Sequence, residues 1–277
     1  MNLKTELNRI RKQLIKLSSG SSSLYQDKAY NSDPALFAKE QLGFNPDSWQ
    51  EQVLASNSKR ILLNCSRQSG KSTTASILSL HEALFNPKSL VLLVSPSQRQ
   101  SSELFRKVTD ALNLLKKRPK LIEDNRLSCT FFNSSRIASL PGSEQTIRGF
   151  SGARLIIEDE ASRVPDELYM AIRPMLAVSN GRLILMSTPF GKRGHFYKEW
   201  SEGEGWDKTE IKATQCPRIS KEFLDEELKT LGDWWYRQEY MCEFVETVDQ
   251  VFSYDHVMNA LSSEIKPLFN LREINNE

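Results

Sequence analysis

This chain has few of the features that mark secreted, membrane-spanning or thiolate-ligated proteins. Its 277 residues include only 4 cysteines, Cys65, Cys129, Cys216 and Cys242, scattered without a C-x-x-C pair. Such spacing argues against a disulfide framework or a zinc site and predicts reduced thiols in a cytosol-like compartment. No apolar run is long enough to cross a bilayer as a helix. The first residues lack the apolar core of a secretory leader. Excess charge of one sign is missing too: 37 Lys and Arg against 35 Asp and Glu leave a formal +2. A nucleic-acid partner is therefore permitted but would have to be met by a local basic patch. There are no internal repeats, and low complexity is confined to the Ser/Gly stretch 18–23.

What is present is a phosphate-binding pattern. Ile61-Leu62-Leu63-Asn64-Cys65-Ser66-Arg67-Gln68-Ser69-Gly70-Lys71-Ser72-Thr73 reads as a buried strand, a tight loop and a Gly-Lys-Ser opening a helix. One glycine is missing, because the pattern G-x-x-x-x-G-K-[ST] wants Gly where Cys65 stands. Backbone N–H groups of Ser66, Arg67, Gln68, Ser69 and Gly70, with Thr73 just inside the helix, would face phosphate oxygens. Lys71 would reach the β and γ phosphates of ATP, and the Ser72 hydroxyl would hold Mg2+.

Arg154-Leu155-Ile156-Ile157-Glu158-Asp159-Glu160 is an apolar strand ending in acids, suited to a sheet covered on both faces. Asp159 is assigned to the metal and Glu160 to the attacking water. Glu158 should point to the opposite side from Asp159, because strand side chains alternate. A second apolar run, Leu183-Ile184-Leu185-Met186, ends in Ser187 and Thr188, hydroxyls placed to sense a γ-phosphate. Gln50, beside Trp49, is a candidate for pairing with an adenine edge. Arg67 within the loop and Arg148 before the acidic strand are candidates to stabilise transition-state charge, Arg148 as a finger offered to a neighbouring subunit.

Along the chain, residues 1–17 read as an amphipathic helix with Leu3, Leu7, Ile10, Leu14 and Leu17 on one face and a basic remainder. With the linker that follows, residues 1–32 form an appendage. Residues 33–249 form the main unit, with strands at 60–64, 90–94, 154–158, 182–187 and 207–212 and helices at 71–85, 98–117 and after Pro165. A hairpin pairs 127–132 with 136–140. From about residue 200 the unit turns helical, near 220–231 and 233–242, with Trp234, Trp235, Tyr236 and Tyr240 read as core or interdomain contact. Residues 250–277 carry little periodic signal. The alternation implies an α/β fold, a mostly parallel sheet sandwiched by helices, with the P-loop at its carboxyl edge.

Taken together, residues 33–255 resemble the ATPase domain of a large terminase subunit, the motor that packages DNA in tailed phages. The resemblance rests on Trp49-Gln50, the loop Ser66 to Ser72, Ile147-Arg148-Gly149, Asp159-Glu160 and Ser187-Thr188-Pro189. In that family the loop often lacks its first Gly and carries an Arg, as here with Cys65 and Arg67. The resemblance implies a P-loop NTPase of the additional-strand, catalytic-glutamate type that hydrolyses ATP with Mg2+. It implies Gln50 on adenine, Ser187 and Thr188 coupling hydrolysis to movement, and Arg148 acting in trans with Arg67 a second candidate in cis. It further implies double-stranded DNA, a portal protein and a small terminase subunit as partners. The assembly would be a pentameric ring at the procapsid portal vertex in the host cytoplasm, with a monomer in free solution left open. Residues 250–277 would lead toward a nuclease domain, and without its Asp cluster no nuclease activity is expected of this sequence. Two other readings stay open: a helicase-like nucleic-acid-dependent ATPase outside packaging, and a catalytically silent nucleotide-binding assembly module.

Overall fold

The structure, a computed structural model, describes residues 27–141, 147, 149–246 and 260. The predicted helix 1–17, Arg148 and nearly all of 250–277 lie outside the described residues.

Three short helices lead in: α1 (Lys28–Ser32), α2 (Pro34–Leu42) and α3 (Ser48–Ala55). Asp33 caps α2 by accepting from the Ala35 and Leu36 N–H groups, and Pro34 occupies the first turn, where its missing N–H costs nothing. Gly43, at φ 64°, ends it in the left-handed conformation. Helix α1 belongs to the body: His81 Nε2 lies 2.8 Å from the Tyr30 carbonyl, so ordered packing starts a few residues ahead of the predicted boundary.

The sheet has eight strands among the described residues, in the order β3-β4-β5-β2-β6-β7-β1-β8. They are β1 (Arg60–Cys65), β2 (Leu90–Ser95), β3 (Leu121–Asn125), β4 (Ser128–Phe131), β5 (Arg136–Pro141), β6 (Leu155–Asp159), β7 (Arg182–Ser187) and β8 (Asp207–Ile211). From β5 to β8 every neighbouring pair is parallel, and β3 and β4 add an antiparallel edge. The run β1, β2, β6 and β7 is buried almost throughout, as expected for strands covered on both sides. On one face pack α1 to α3 with α4 (Lys71–Phe85) and α5 (Gln98–Leu114). On the other pack α6 (Asp166–Ile172) and α7 (Gly194–Ser201).

Strand β7 lies between β1, which leads into the P-loop, and β6, which ends in the acids. Register pairs Asn64 with Ser187 and Asp159 with Met186, so all three carboxyl ends finish together. Helix α8 (Lys221–Glu239) follows β8 and is broken at Gly232, whose φ of 76° and ψ of 165° are not helical. Ser220 caps it, accepting from Phe223 N–H. The break agrees with the two helices predicted there. Elements not predicted include the short lead-in helices α1 and α3, the exposed edge strand β3 and the glycine-flanked helix α7.

Candidate nucleotide site

The loop between β1 and α4 turns sharply. Gln68 at φ 59° and Gly70 at φ 101° both take left-handed backbone, and Gly70 is the N-cap of α4. Glycine suits this position because of its φ; a Cβ there would also lie 2.6 Å from Gln50 Nε2, which would have to shift. Arg218 braces the same loop. Its guanidinium contacts Asp47 at 2.8 and 2.7 Å and donates to the Ser69 carbonyl at 2.9 Å.

Beside the loop is a cavity of about 500 Å³, lined by Arg67, Gln68, Gly70, Lys71, Ser72, Thr73, Gln100, Lys107, Glu160, Arg163 and Arg218. Five of these side chains are cationic and one is a carboxylate, a balance suited to a polyphosphate. At its centre Lys71 Nζ lies 3.0 Å from Glu160 Oε1. Glu160 also takes a left-handed backbone, φ 54°, which is costly for a residue with a Cβ and turns its side chain back toward the loop.

Burial opposes charge on Lys71, but the Glu160 and Asp159 carboxylates outweigh it and raise its pKa. Burial likewise pushes Glu160 up; Lys71, Arg163 and Arg67 outweigh that and hold its carboxyl below the ordinary range. Asp159, deeper and closer to Glu160, is pushed up by burial to about 6, despite the counter-pull of Lys71. Lys107 on α5 has its pKa lowered by burial, with Asp159 opposing.

The predicted residues separate into two groups. Arg67, Gln68, Gly70, Lys71, Ser72, Thr73 and Glu160 share the cavity. Ser66, Ser69 and Gln50 are buried beneath it, and Asp159 lies almost wholly buried at the end of β6. The Gln50 carbonyl accepts from Asp47 N–H at 2.9 Å, leaving its amide nitrogen against Gly70. Ser187 and Thr188 are buried one layer away: Ser162 Oγ is 2.7 Å from Ser187 Oγ and donates to the Thr188 carbonyl at 2.8 Å. Glu158 points to the opposite face, as predicted, 2.6 Å from His195 Nε2.

Five participants were not read from the sequence: Gln100, Lys107, Arg163, Arg218 and Glu239. Arg163 follows Glu160 by three residues on a 3-10 turn, a spacing that could have drawn attention to it. Glu239, at the end of α8, accepts from Arg67 Nε at 2.5 Å, and no local pattern announces that contact.

A P-loop strand separated from an acid-bearing strand by one added strand, with Lys71 and Glu160 facing each other across the cavity, defines a P-loop NTPase fold of the additional-strand type. The family described as "Terminase large subunit, T4likevirus-type, N-terminal" matches residues 62–257, and the chain belongs to that family. Terminase large subunits of Thermus phage G20c and Thermus virus P23-45 are 28% and 27% identical to it, each over 77% of this chain and 52% of the relative. The chain thus spans about half the length of the curated relatives it matches. The fold is also that of the Thermus phage P74-26 large terminase ATPase domain, at TM-score 0.69 and 23% identity, covering 77% of this chain and 99% of that one. The HK97 bacteriophage large terminase gives TM-score 0.63 at 14% identity, over 77% and 55% of the two chains. The large terminase of bacteriophage D6E, solved with ATP-gamma-S, gives 0.56 at 15% identity, over 77% and 53%.

Proposed function

We propose that this chain is the ATP-hydrolysing part of a motor that drives double-stranded DNA into a viral procapsid. The observation that carries this reading is the Lys71–Glu160 pair, 3.0 Å across the cavity between the P-loop and the end of β6. A phosphate-binding lysine and a carboxylate able to polarise water meet in one cationic pocket.

The donors suit magnesium. Ser72 and Asp159 offer hard oxygens, while the thiol of Cys65 is held neutral by burial, its pKa raised to about 12. Ser72 and Asp159 would hold the cation, and it would supply charge neutralisation at the β and γ phosphates.

In this reading nucleotide binding draws Lys71 from Glu160 to the phosphates, and the freed carboxylate oxygen orients the attacking water. Backbone N–H groups of Gln68, Ser69 and Gly70 cradle the phosphates, with Thr73 beside them; those of Ser66 and Arg67, expected to join them, donate instead to the Ile211 and Glu239 carbonyls at 2.9 and 3.0 Å. Gln50 reads the adenine with its amide nitrogen. Ser187 and Thr188 register the γ-phosphate, Arg67 stabilises charge in cis and Arg148 does so in trans. The partners are DNA, a portal protein and a small terminase subunit, with the ring, a pentamer by family resemblance, at the portal vertex in the host cytoplasm.

Turnover should be measured with Mg2+, with and without double-stranded DNA, as protein concentration rises. Turnover per subunit should climb with concentration and with DNA, and DNA affinity should fall steeply with salt. No turnover at any concentration with DNA present would contradict the reading. A DNA affinity unchanged between low and high salt would contradict the DNA-gripping part.

A further inference from the structure

Arg163 stands where four functional pieces meet. Its Nη1 lies 3.1 Å from Glu160 Oε2 and 3.2 Å from Thr188 Oγ1. Its Nη2 reaches Glu239 Oε1 at 3.5 Å, and the opposite carboxylate oxygen of Glu239 holds Arg67 of the P-loop. The guanidinium carbon lies 4.7 Å from the centroid of the Phe190 ring, which fixes the plane of the fork. The neighbouring Ser162 hydroxyl ties the same 3-10 turn to Ser187 and Thr188. A surface ion pair of this type is ordinarily worth little. Here the side chain is only 26% exposed, Glu160 21% and Glu239 7%, and one fork serves three acceptors at once.

We infer that Arg163 is a positioning residue for hydrolysis. It holds Glu160 by Oε2, so that Oε1 is aimed at the phosphate cavity, and it ties that orientation to Thr188 and to the end of α8. The inference rests on the hydrolase reading above. The geometry gives it a definite consequence. Glu160 has two cationic partners, Lys71 on Oε1 and Arg163 on Oε2. When phosphate takes Lys71, Arg163 alone keeps the carboxylate in place. Arg163 should therefore matter for turnover and little for nucleotide binding. Lysine should replace it incompletely, because a point charge cannot fill three sites in a plane.

The test compares Arg163→Gln and Arg163→Lys with the unmodified chain, measuring kcat, KM and the Kd of a fluorescent ATP analogue, with thermal unfolding alongside. The expected result for R163Q is a kcat lower by roughly tenfold or more, with KM and Kd within about threefold. R163K should recover part of the loss. A kcat within about twofold of the unmodified chain in R163Q overturns the inference, as does full recovery by R163K or a parallel loss of kcat and nucleotide binding. If R163Q does not fold, R163K decides alone: reduced kcat at unchanged KM supports the inference, and an unchanged kcat overturns it. Glu160→Gln is run beside them. If E160Q is inert and R163Q fully active, only this inference fails; if E160Q is itself fully active, the catalytic assignment fails and takes this inference with it.

Discussion

Glu158 and Asp159, adjacent in sequence, meet opposite fates on the two faces of β6. Asp159 ends β6 beside Glu160, which lines the cavity, while Glu158 is wholly buried against His195, which also contacts Asp166 through Nδ1 at 3.0 Å and stacks on Tyr169. Strand alternation made that split legible from the sequence. The partner was not, since His195 lies 37 residues on and no short pattern joins them. Burial opposes charge on His195, but Glu158 and Asp166 prevail and its pKa is raised. Burial raises Glu158 as well, so the pair holds its proton tightly. A histidine with a raised folded pKa contributes stability that is complete below its unfolded value, about 6.5, and is lost as pH rises through the folded value. His195→Gln removes the proton-binding partner of Glu158, so the stability gap between it and the unmodified chain should change with pH. Denaturant unfolding across that range checks it; a gap between the two proteins that does not change with pH would count against this pairing. Lys107, Arg218 and Glu239 escaped the sequence reading for the same reason as His195. Each reaches the site from an element whose placement depends on the tertiary fold.

The strands and helices that build the site were the most readable part, because their signal is local. Continuous apolar runs gave β1, β2, β6 and β7, and the Gly-Lys-Ser turn fixed the start of α4. The elements missed were those without such a run. Strand β3 is a sheet edge with four of its five residues exposed, so its side chains carry no burial pattern. Helix α7 follows Gly191 and opens on Gly194, both of which read as loop residues. Helix α8 shows how one residue shapes an element. Gly232 adopts φ 76° and ψ 165°, a region closed to other residues, and splits the helix before the turn that delivers Glu239 to Arg67 and Arg163. Nothing lies within 4 Å of a Cβ built there, so substitution would act through backbone strain alone. Gly232→Ala should destabilise the protein by about 1–3 kcal/mol. Thermal unfolding reads this directly, and an unshifted midpoint would show that the break tolerates a side chain.

For the molecule as a whole, one mostly parallel sheet with helices on both faces brings three strand ends to a single edge, where five cations surround one carboxylate. The class of fold and the edge bearing the site were open to sequence reasoning, because alternation and motif spacing are chain-local. The closure of that edge by Glu239 was not, because it is made by the far end of the described chain folding back onto the P-loop. The most direct test of the hydrolase reading is Glu160→Gln, which keeps the size and most of the hydrogen bonding of the side chain but removes its charge. Turnover and ATP-analogue affinity should be measured on the same preparation. Loss of turnover by roughly a hundredfold or more, with nucleotide affinity retained, is the predicted result. Full turnover by E160Q would contradict it.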